Sequence, residues 1–274
     1  MNAPRMLQPI AWLLTGFGTT LDAQPVAAPA VEGAVGITTV SSRVSKEYVR
    51  TKLPDGSFQA EEYAFGDGGR YNGPFHDASI DKLKFLDIAR VIAGPLAAQN
   101  YRPAKNLNTE KLLIMVYWGT TVTGASSSRT VPGNGPSHLQ SDDPIDVRNA
   151  MMLGYDSEGL IGTEYGTFIG HVGPTGSYRD ELMSEIEENR YFVVLLAYDF
   201  QEFRKEKKHK LLWETRFSIN EQSNDFDKAL PLMAQYASRY FGQDSHGLLR
   251  TQVPEGRVKV GEPKSLGEVE KPKK

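Results

Sequence analysis

Two apolar stretches separated by a charged turn give the clearest pattern of hydrophobic and polar positions in the chain. Residues 191–200 are rich in β-branched and aromatic side chains, and residues 211–219 alternate between apolar and polar as a half-buried strand does. Residues 202–210, which lie between them, are almost all charged. The pattern predicts two strands joined as a hairpin with a solvated end.

An amphipathic helix is predicted directly after this hairpin. Its apolar positions recur at helical spacing from Asp225 onward, and Gly242 follows as a residue type that commonly ends helices. Hairpin and helix together predict a packed α/β core. The apolar stripe of the helix is formed by Phe226, Ala229, Leu230, Met233, Ala234, Ala237, Tyr240 and Phe241.

Another hairpin is predicted near the start of the folded region. Residues 37–50 and 57–65 flank a turn in which Pro54 presets one dihedral angle and Gly56 accepts a positive one. Residues 66–74 are rich in glycine and are predicted to form a loop.

A helix and a buried strand are predicted next. Residues 111–118 form a continuous apolar run, as expected for a central strand covered on both faces. Residues 80–99, before this strand, are predicted to be helical because one face carries Phe85, Ile88, Ala89, Ile92 and Leu96.

Residues 119–176 form a long insertion that contains eleven glycines. A helix is predicted inside it, because Asp143 is a good N-cap and Pro144 suits the first helical position. A further helix is predicted just after it, where Ser177 and Asp180 match a capping box. Insertions of this length are uncommon in compact domains unless they bind or move, so this one is the main functional candidate.

The order of these elements predicts an α/β (α+β) sandwich, with a mixed sheet of about five strands and helices packed on it. We expect a single domain over residues 36–242, with the Gly-rich insertion at residues 119–176. Residues 243–274 are polar and charged, and they are predicted to form a largely disordered tail, with an edge strand at residues 257–260 as the exception.

The amino-terminal residues have the features of an export signal. Arg5 precedes a mostly apolar run at residues 6–21, and small residues around Ala23 offer a cleavage position. We predict a signal peptide at residues 1–23, a spacer at residues 24–35 and a periplasmic or secreted bacterial protein; a disordered leader or an amino-terminal core helix is the alternative. The run is shorter than the ~20 residues needed to cross a bilayer, so no transmembrane span is expected.

Composition narrows the chemistry further. The absence of cysteine excludes disulfides, thiolate metal sites, a cysteine nucleophile and a lipidated cysteine. A formal net charge of -3 gives no reason to expect nucleic acid as a partner.

The start of the insertion carries the leading candidates for a binding site. Gly119, Thr120 and Thr121 follow a buried strand, at the edge where ligands bind in open α/β sheets. The chain lacks the glycine and lysine spacing of phosphate-binding loops, so no nucleotide and no other cofactor is predicted. The predicted binding residues are Gly119, Thr120, Thr121, Ser126, Arg129, His138 and His171.

Catalytic alternatives also fall within the insertion. The chain has no G-x-S-x-G turn of the kind that holds a serine nucleophile in a strained conformation, and the serine, histidine and acidic side chains of the insertion are explained more simply as solvated loop residues. A metal site would combine His171 with Asp156, Glu158 and Glu164, which lack the spacing that places two ligands on one helix face. A hydrolase would use Ser126, Ser127 or Ser128 as nucleophile, His138 as base and Asp142 or Asp143 to orient that base.

The only dense basic cluster lies at residues 204–210. It suits a solvated hairpin tip, and attraction to anionic lipid headgroups or to an acidic partner is the alternative interpretation.

Residues 80–118 and 180–242 resemble small exported bacterial domains of unknown function. The resemblance depends on the Lys-Leu-Leu-Trp strand at residues 210–213 before a terminal amphipathic helix. It implies an α/β layout shared with envelope lipoproteins and with the amino-terminal domain of TolB-like proteins, which are binding or assembly modules rather than enzymes. The chain departs from the lipoproteins by lacking the lipidated cysteine and by carrying the insertion. We therefore expect an exported, non-catalytic envelope protein that binds a protein or another envelope component, with the insertion and an exposed sheet edge as its binding surfaces.

Overall fold

A mixed sheet of seven strands, in the order β3-β2-β4-β5-β6-β1-β7, forms the centre of the computed structural model. The structure describes residues 36–71, 76–104, 111–122, 144–155, 177–206 and 208–253. The strands are β1 (Gly36–Val44), β2 (Glu61–Tyr71), β3 (Tyr101–Pro103), β4 (Leu112–Thr120), β5 (Arg190–Asp199), β6 (Leu211–Asn220) and β7 (Leu248–Val253). The helices are α1 (Ala78–Asp81), α2 (Phe85–Ala98), α3 (Pro144–Leu153), α4 (Ser177–Glu187), α5 (Phe200–Glu206) and α6 (Phe226–Ser238).

Strand pairing confirms the predicted α/β class with a mixed sheet, although the sheet has seven strands rather than about five. β2 runs parallel to β3 and to β4, whereas the pairs β4–β5, β5–β6, β6–β1 and β1–β7 are antiparallel. The predicted hairpin of β5 and β6 is confirmed, and the charged turn between them contains the short helix α5.

β5 lies at the centre because both of its faces are apolar. Tyr191, Val193, Leu195 and Ala197 contribute to one hydrophobic core, whereas Phe192 and Val194 contribute to another. Successive side chains of a strand point to opposite faces, so the two cores lie on opposite sides of the sheet. This double burial explains why the strand is a continuous apolar run.

The first face is covered by α2 and α6. Ile88, Ile92 and Leu96 of α2 are fully buried, and so are Phe226 and Met233 of α6. The two helices pack on each other and on the sheet through the stripes that their sequences predict.

The second face is covered by α3 and α4. Ala150 and Leu153 of α3 and Leu182 and Ile186 of α4 pack against Phe192 in the second core. Part of the insertion is therefore interior, although we expected it to be free for recognition. An apolar second face of β5 requires a cover, and α3 supplies part of that cover.

The predicted pairing of residues 37–50 with residues 57–65 is wrong. Only an isolated bridge between Lys52 and Phe58 forms around the turn, and β1 pairs with β6 and β7 instead. The connection between β1 and β2 is too long for a tight hairpin. Hydroxyl pairs tie β1 to β6, because Thr39 Oγ1 lies 2.7 Å from Ser218 Oγ and Ser42 Oγ lies 2.7 Å from Thr215 Oγ1.

Two further segments differ from the sequence-based expectation. β2 continues to Tyr71 through the residues that were predicted to form a glycine loop. Glycine at position 68 leaves room for the Tyr117 ring, because a Cβ atom at this position would lie only 2.7 Å from that ring. β7 lies in the segment that was expected to be a polar tail, and the alternative edge strand at residues 257–260 lies outside the described residues. None of the helices in the described ranges is long and apolar enough to cross a membrane.

Candidate functional site

An open groove of about 810 Å³ lies at the end of the sheet where β5 begins and β6 ends. α4 forms one wall, and the start of β1, the end of β6 and Arg250 of β7 form the other. The side chains that define its chemistry are Ser184, Glu185, Glu188, Arg190, Asn220 and Arg250.

Arg190 forms the floor of the groove and is only 1% exposed. Its Nε donates to Ser218 Oγ at 3.1 Å, and its Nη2 donates to the Ile37 carbonyl oxygen at 2.7 Å. Its backbone N–H donates to Thr121 Oγ1 at 2.8 Å. A guanidinium that is removed from water in this way needs such partners, and Ile37 of β1 and Ser218 of β6 supply them.

Glu185 is buried beside this guanidinium and is shared by two arginines. Its Oε2 lies 4.0 Å from Nη1 of Arg190, and its Oε1 accepts from Nε of Arg250 at 3.1 Å. The Tyr155 hydroxyl donates to the same carboxylate. Burial raises the pKa of Tyr155, so this phenol stays a neutral donor near neutral pH. Burial opposes the charge of Arg250, but hydrogen bonds to Glu185 and Glu181 hold its pKa above the ordinary value.

The rim of the groove carries excess negative charge. Glu181 pairs with Arg250 at 3.0 Å, and Glu188 accepts from the Asn220 amide. Within the described ranges, neither Asp180 nor Glu188 has a cationic partner. Among the described residues, the groove lining contains four carboxylates and two guanidinium groups, which favours cationic groups in a ligand.

β7 borders the groove and forms one edge of the sheet. Among the residues that the structure describes, this strand pairs only with β1. Leu248 is buried in the second core, whereas Thr251 and Gln252 are exposed. A sheet edge presents unpaired backbone groups that can hydrogen-bond an extended peptide.

Three of the predicted binding residues lie next to the groove floor. Thr121 is 2% exposed, and its hydroxyl donates to the Glu188 carbonyl oxygen at 3.1 Å while accepting from Arg190. Thr120 is the last residue of β4, and Gly119 allows the close approach of β2, because a Cβ atom there would meet Tyr71 Cβ at 2.7 Å. Thr121 and Gly119 thus hold the strands that carry the groove.

The other predicted binding residues, Ser126, Arg129, His138 and His171, lie outside the described residues. The same holds for the hydrolase serines and aspartates and for the three acidic residues of the metal alternative. In the described part of the chain, no three His, Asp or Glu side chains are grouped to hold a metal ion.

A separate polar cluster lies on the first face of the sheet, at the same end. The Tyr191 hydroxyl donates to Asp77, and Ser79 Oγ accepts from the Phe226 N–H at 2.9 Å. Burial and the Asp77 charge raise the pKa of Glu221. Burial opposes the ionisation of Asp77, but hydrogen bonds from Tyr191 and Ser79 hold its pKa below the ordinary value.

We expect Glu221→Gln to stabilise the protein at pH 7. A carboxyl whose pKa is raised on folding contributes stability at acid pH. This contribution is lost as the pH rises from 4.5 through the folded-state pKa, and the uncharged glutamine amide of the variant avoids that loss. The gain over the parent protein should shrink at pH 4. Urea unfolding at both pH values, followed by tryptophan fluorescence, measures it.

Asp77→Asn provides the opposite case. Its lowered pKa gives stability that is present at neutral pH and is lost as the pH falls through the folded-state value, so this variant should be destabilised at pH 7 and less so at acid pH. If the free energy of unfolding of the two variants changed with pH in the same way, the opposite pKa shifts of Glu221 and Asp77 would be wrong.

The fold and the groove define a three-layer α/β protein with an open mixed sheet and a polar groove at one sheet end. No family model matches the chain, and no curated protein matches it. Among solved structures it is similar to a DUF4136 family protein from Bacteroides thetaiotaomicron, with a TM-score of 0.31 and 11% sequence identity. The similarity covers 72% of this chain and 92% of that chain. That family is a bacterial domain of unknown function, and a likeness of this strength assigns no activity.

Proposed function

We propose that this chain is an exported, non-catalytic binding module of the bacterial envelope, and that the groove between α4 and β7 binds an extended, basic segment of a partner protein. The groove carries this proposal, because it combines an edge strand with an acidic rim. The edge supplies backbone hydrogen bonds, and the rim supplies selectivity for cationic side chains.

The internal pairing of the groove residues supports binding rather than catalysis. Arg190, Glu185 and Arg250 are held in one network, so they are fixed in position before a ligand arrives. Preorganised charges reduce the entropic cost of association. His76, His209 and His246, the histidines of the described ranges, are not among the groove-lining residues.

A selection from displayed random peptides tests the proposed ligand. We expect enrichment of peptides that alternate apolar and basic side chains, since alternate positions of an added strand face the same side. Asp180→Lys should weaken the selected peptides about tenfold, because it reverses one charge of the rim. Fluorescence anisotropy with a labelled selected peptide gives the dissociation constants.

Asp87→Lys is the matched control for this experiment. Asp87 is also an acidic residue in the first turn of a helix, but it lies on α2, on the opposite face of the sheet. Both variants lose a favourable interaction with a helix amino terminus, and Asp87→Lys also loses the hydrogen bond from the Lys84 N–H and the ion pair with Arg90. Equal affinity of the two variants, or a selection that enriches no basic peptide, would rule out the groove as this binding site.

Export is supported by Arg5, the apolar run after it and the small residues around Ala23. The proposed kinship with envelope lipoprotein and TolB-like amino-terminal domains rests on the α/β layout and on the Lys-Leu-Leu-Trp strand. Cell fractionation with amino-terminal sequencing tests this part separately. Recovery of the protein in the cytoplasm with residues 1–23 attached would remove the envelope assignment and leave the peptide experiment unaffected.

A further inference from the structure

We propose that the groove contains a subsite for one guanidinium group, which Arg250 fills in the free protein and which an arginine side chain of the ligand enters in its place. The inference rests on the proposed function for its ligand. It adds the side chain that the groove selects and an autoinhibitory contact that limits binding. The walls of the subsite are Tyr178, Glu181 and Glu185 of α4.

The three walls lie on one stripe of α4. Their positions are spaced i, i+3 and i+7, so their side chains share one face of the helix. Arg250 lies two residues after Leu248 on β7, and alternate residues of a strand point to the same side. Because Leu248 is buried in the second core, which α4 covers, the Arg250 side chain meets the stripe of α4.

The contacts to Arg250 match the planar shape of its guanidinium group. Nη1 donates to Glu181 Oε2 at 3.0 Å, Nε donates to Glu185 Oε1 at 3.1 Å, and Nη2 donates to the same Glu185 oxygen. The Tyr178 ring centroid lies 5.7 Å from Cζ of Arg250, within the range of a cation–π interaction. A lysine ammonium is a compact charge that cannot make all of these contacts at once, so the subsite is selective for arginine.

Arg250 can be exchanged because the subsite does not depend on it alone. The Glu185 carboxylate also accepts from the Tyr155 hydroxyl, and its Oε2 lies 4.0 Å from Nη1 of Arg190. The Glu181 side chain is 56% exposed and the Arg250 side chain 20%, so a ligand can reach the outer contact from solvent. Exchange of one guanidinium for another conserves the ion pairs, and the released side chain regains rotamer freedom.

The same exchange makes the Arg250 contact autoinhibitory. Only molecules in which Arg250 has left the subsite can accept the arginine of a ligand, so the apparent affinity is reduced by the fraction of such molecules. An arginine that only fastened β7 to α4 would have the opposite effect, because its loss would weaken the groove and the binding of any peptide.

Chemical rescue of Arg250→Ala tests the subsite without a peptide. We expect ethylguanidinium chloride to raise the melting temperature of this variant, with its half-maximal effect at a concentration at least about tenfold below that of ethylammonium chloride at equal ionic strength. The parent protein, in which the subsite is filled, should show no such difference between the two salts.

Arg70→Ala is the matched control for the rescue. The Arg70 side chain is 22% exposed, close to that of Arg250, but among the described residues it pairs with one carboxylate, that of Asp81, and it does not line the groove. Equal effects of the two salts on Arg250→Ala, or the same preference for ethylguanidinium in Arg70→Ala, would overturn the subsite.

Arg250→Lys tests the autoinhibitory contact and retains a charge that can pair with α4 if the alanine variant does not fold. Fluorescein-labelled hexapeptides that alternate valine with arginine, or valine with lysine, are the probes, and anisotropy measures their binding. We expect the arginine peptide to bind this variant about tenfold more tightly than it binds the parent protein, and more tightly than the lysine peptide does.

Equal or weaker binding of the arginine peptide by Arg250→Lys would show that Arg250 is a fixed part of the groove wall, and the autoinhibitory contact would then be wrong. The peptide ligand and the subsite can fail separately. If neither peptide bound any form of the protein while ethylguanidinium still rescued Arg250→Ala, the peptide ligand of the proposed function would be wrong and the guanidinium subsite would be supported.

Discussion

Arg190→Leu should lower the free energy of unfolding by about 3–5 kcal/mol, the range found when one partner of a buried charged pair is removed. The guanidinium is 1% exposed, and leucine would leave Ser218 Oγ and the Ile37 carbonyl oxygen without this donor. It would also remove the charge that lies 4.0 Å from the buried Glu185 carboxylate. Urea unfolding followed by tryptophan fluorescence measures the loss, since Trp118 and Trp213 lie in the first core.

Arg90→Leu is the control for this expectation, because the same side chain is replaced at a site where it is 75% exposed. Its ion pair with Asp87 lies on the helix surface, so its removal should cost less than about 1 kcal/mol. A loss below about 1 kcal/mol for Arg190→Leu as well would mean that the buried network does not stabilise the groove floor.

The sequence predicts the central part of the fold because apolar periodicity decides it. β4, β5, β6, α2 and α6 all carry apolar positions at the spacing of their element; β5 buries its positions in both cores, and the other elements bury theirs mainly in the first. β1 is different, since the side chains that meet between it and β6 include hydroxyl pairs such as Thr39 with Ser218. Polar contacts between distant segments leave no periodic signal, so the pairing partner of β1 could not be predicted.

The groove could not be predicted for a related reason. Tyr155, Glu185, Arg190 and Arg250 come from separate segments, and only the packing of α3 and α4 on the second face brings them together. Arg190 stands at the start of an apolar strand, where a charged residue is ordinarily expected to be exposed. The sequence did indicate Thr121, but as a ligand-binding residue rather than as a hydrogen-bond partner of the Arg190 backbone.

Replacement of Gly242, which follows α6, is the second substitution for which we expect a large loss in the free energy of unfolding. Gly242 has a φ of 69°, and a Cβ atom at this position would overlap the Tyr101 hydroxyl. That hydroxyl lies 3.0 Å from the Tyr48 hydroxyl, which in turn donates to the buried Glu61 carboxylate at 2.5 Å. Gly242→Ala therefore combines a left-handed backbone penalty with disruption of buried hydrogen bonds, and it should cost about 3 kcal/mol in the free energy of unfolding.

Gly56→Ala separates the two causes, because Gly56 has a φ of 84° but no atom within 4 Å of an added Cβ. Only the backbone penalty applies there, so we expect a loss of about 1 kcal/mol. Adding Tyr101→Phe to Gly242→Ala should recover part of the larger loss, since it removes the hydroxyl that the new methyl group overlaps. Urea unfolding measures the free energy of unfolding of each variant. If the two alanine variants lost equal amounts, or if the double variant recovered none of the loss, overlap with the buried Tyr101 hydroxyl would not be the reason that position 242 requires glycine.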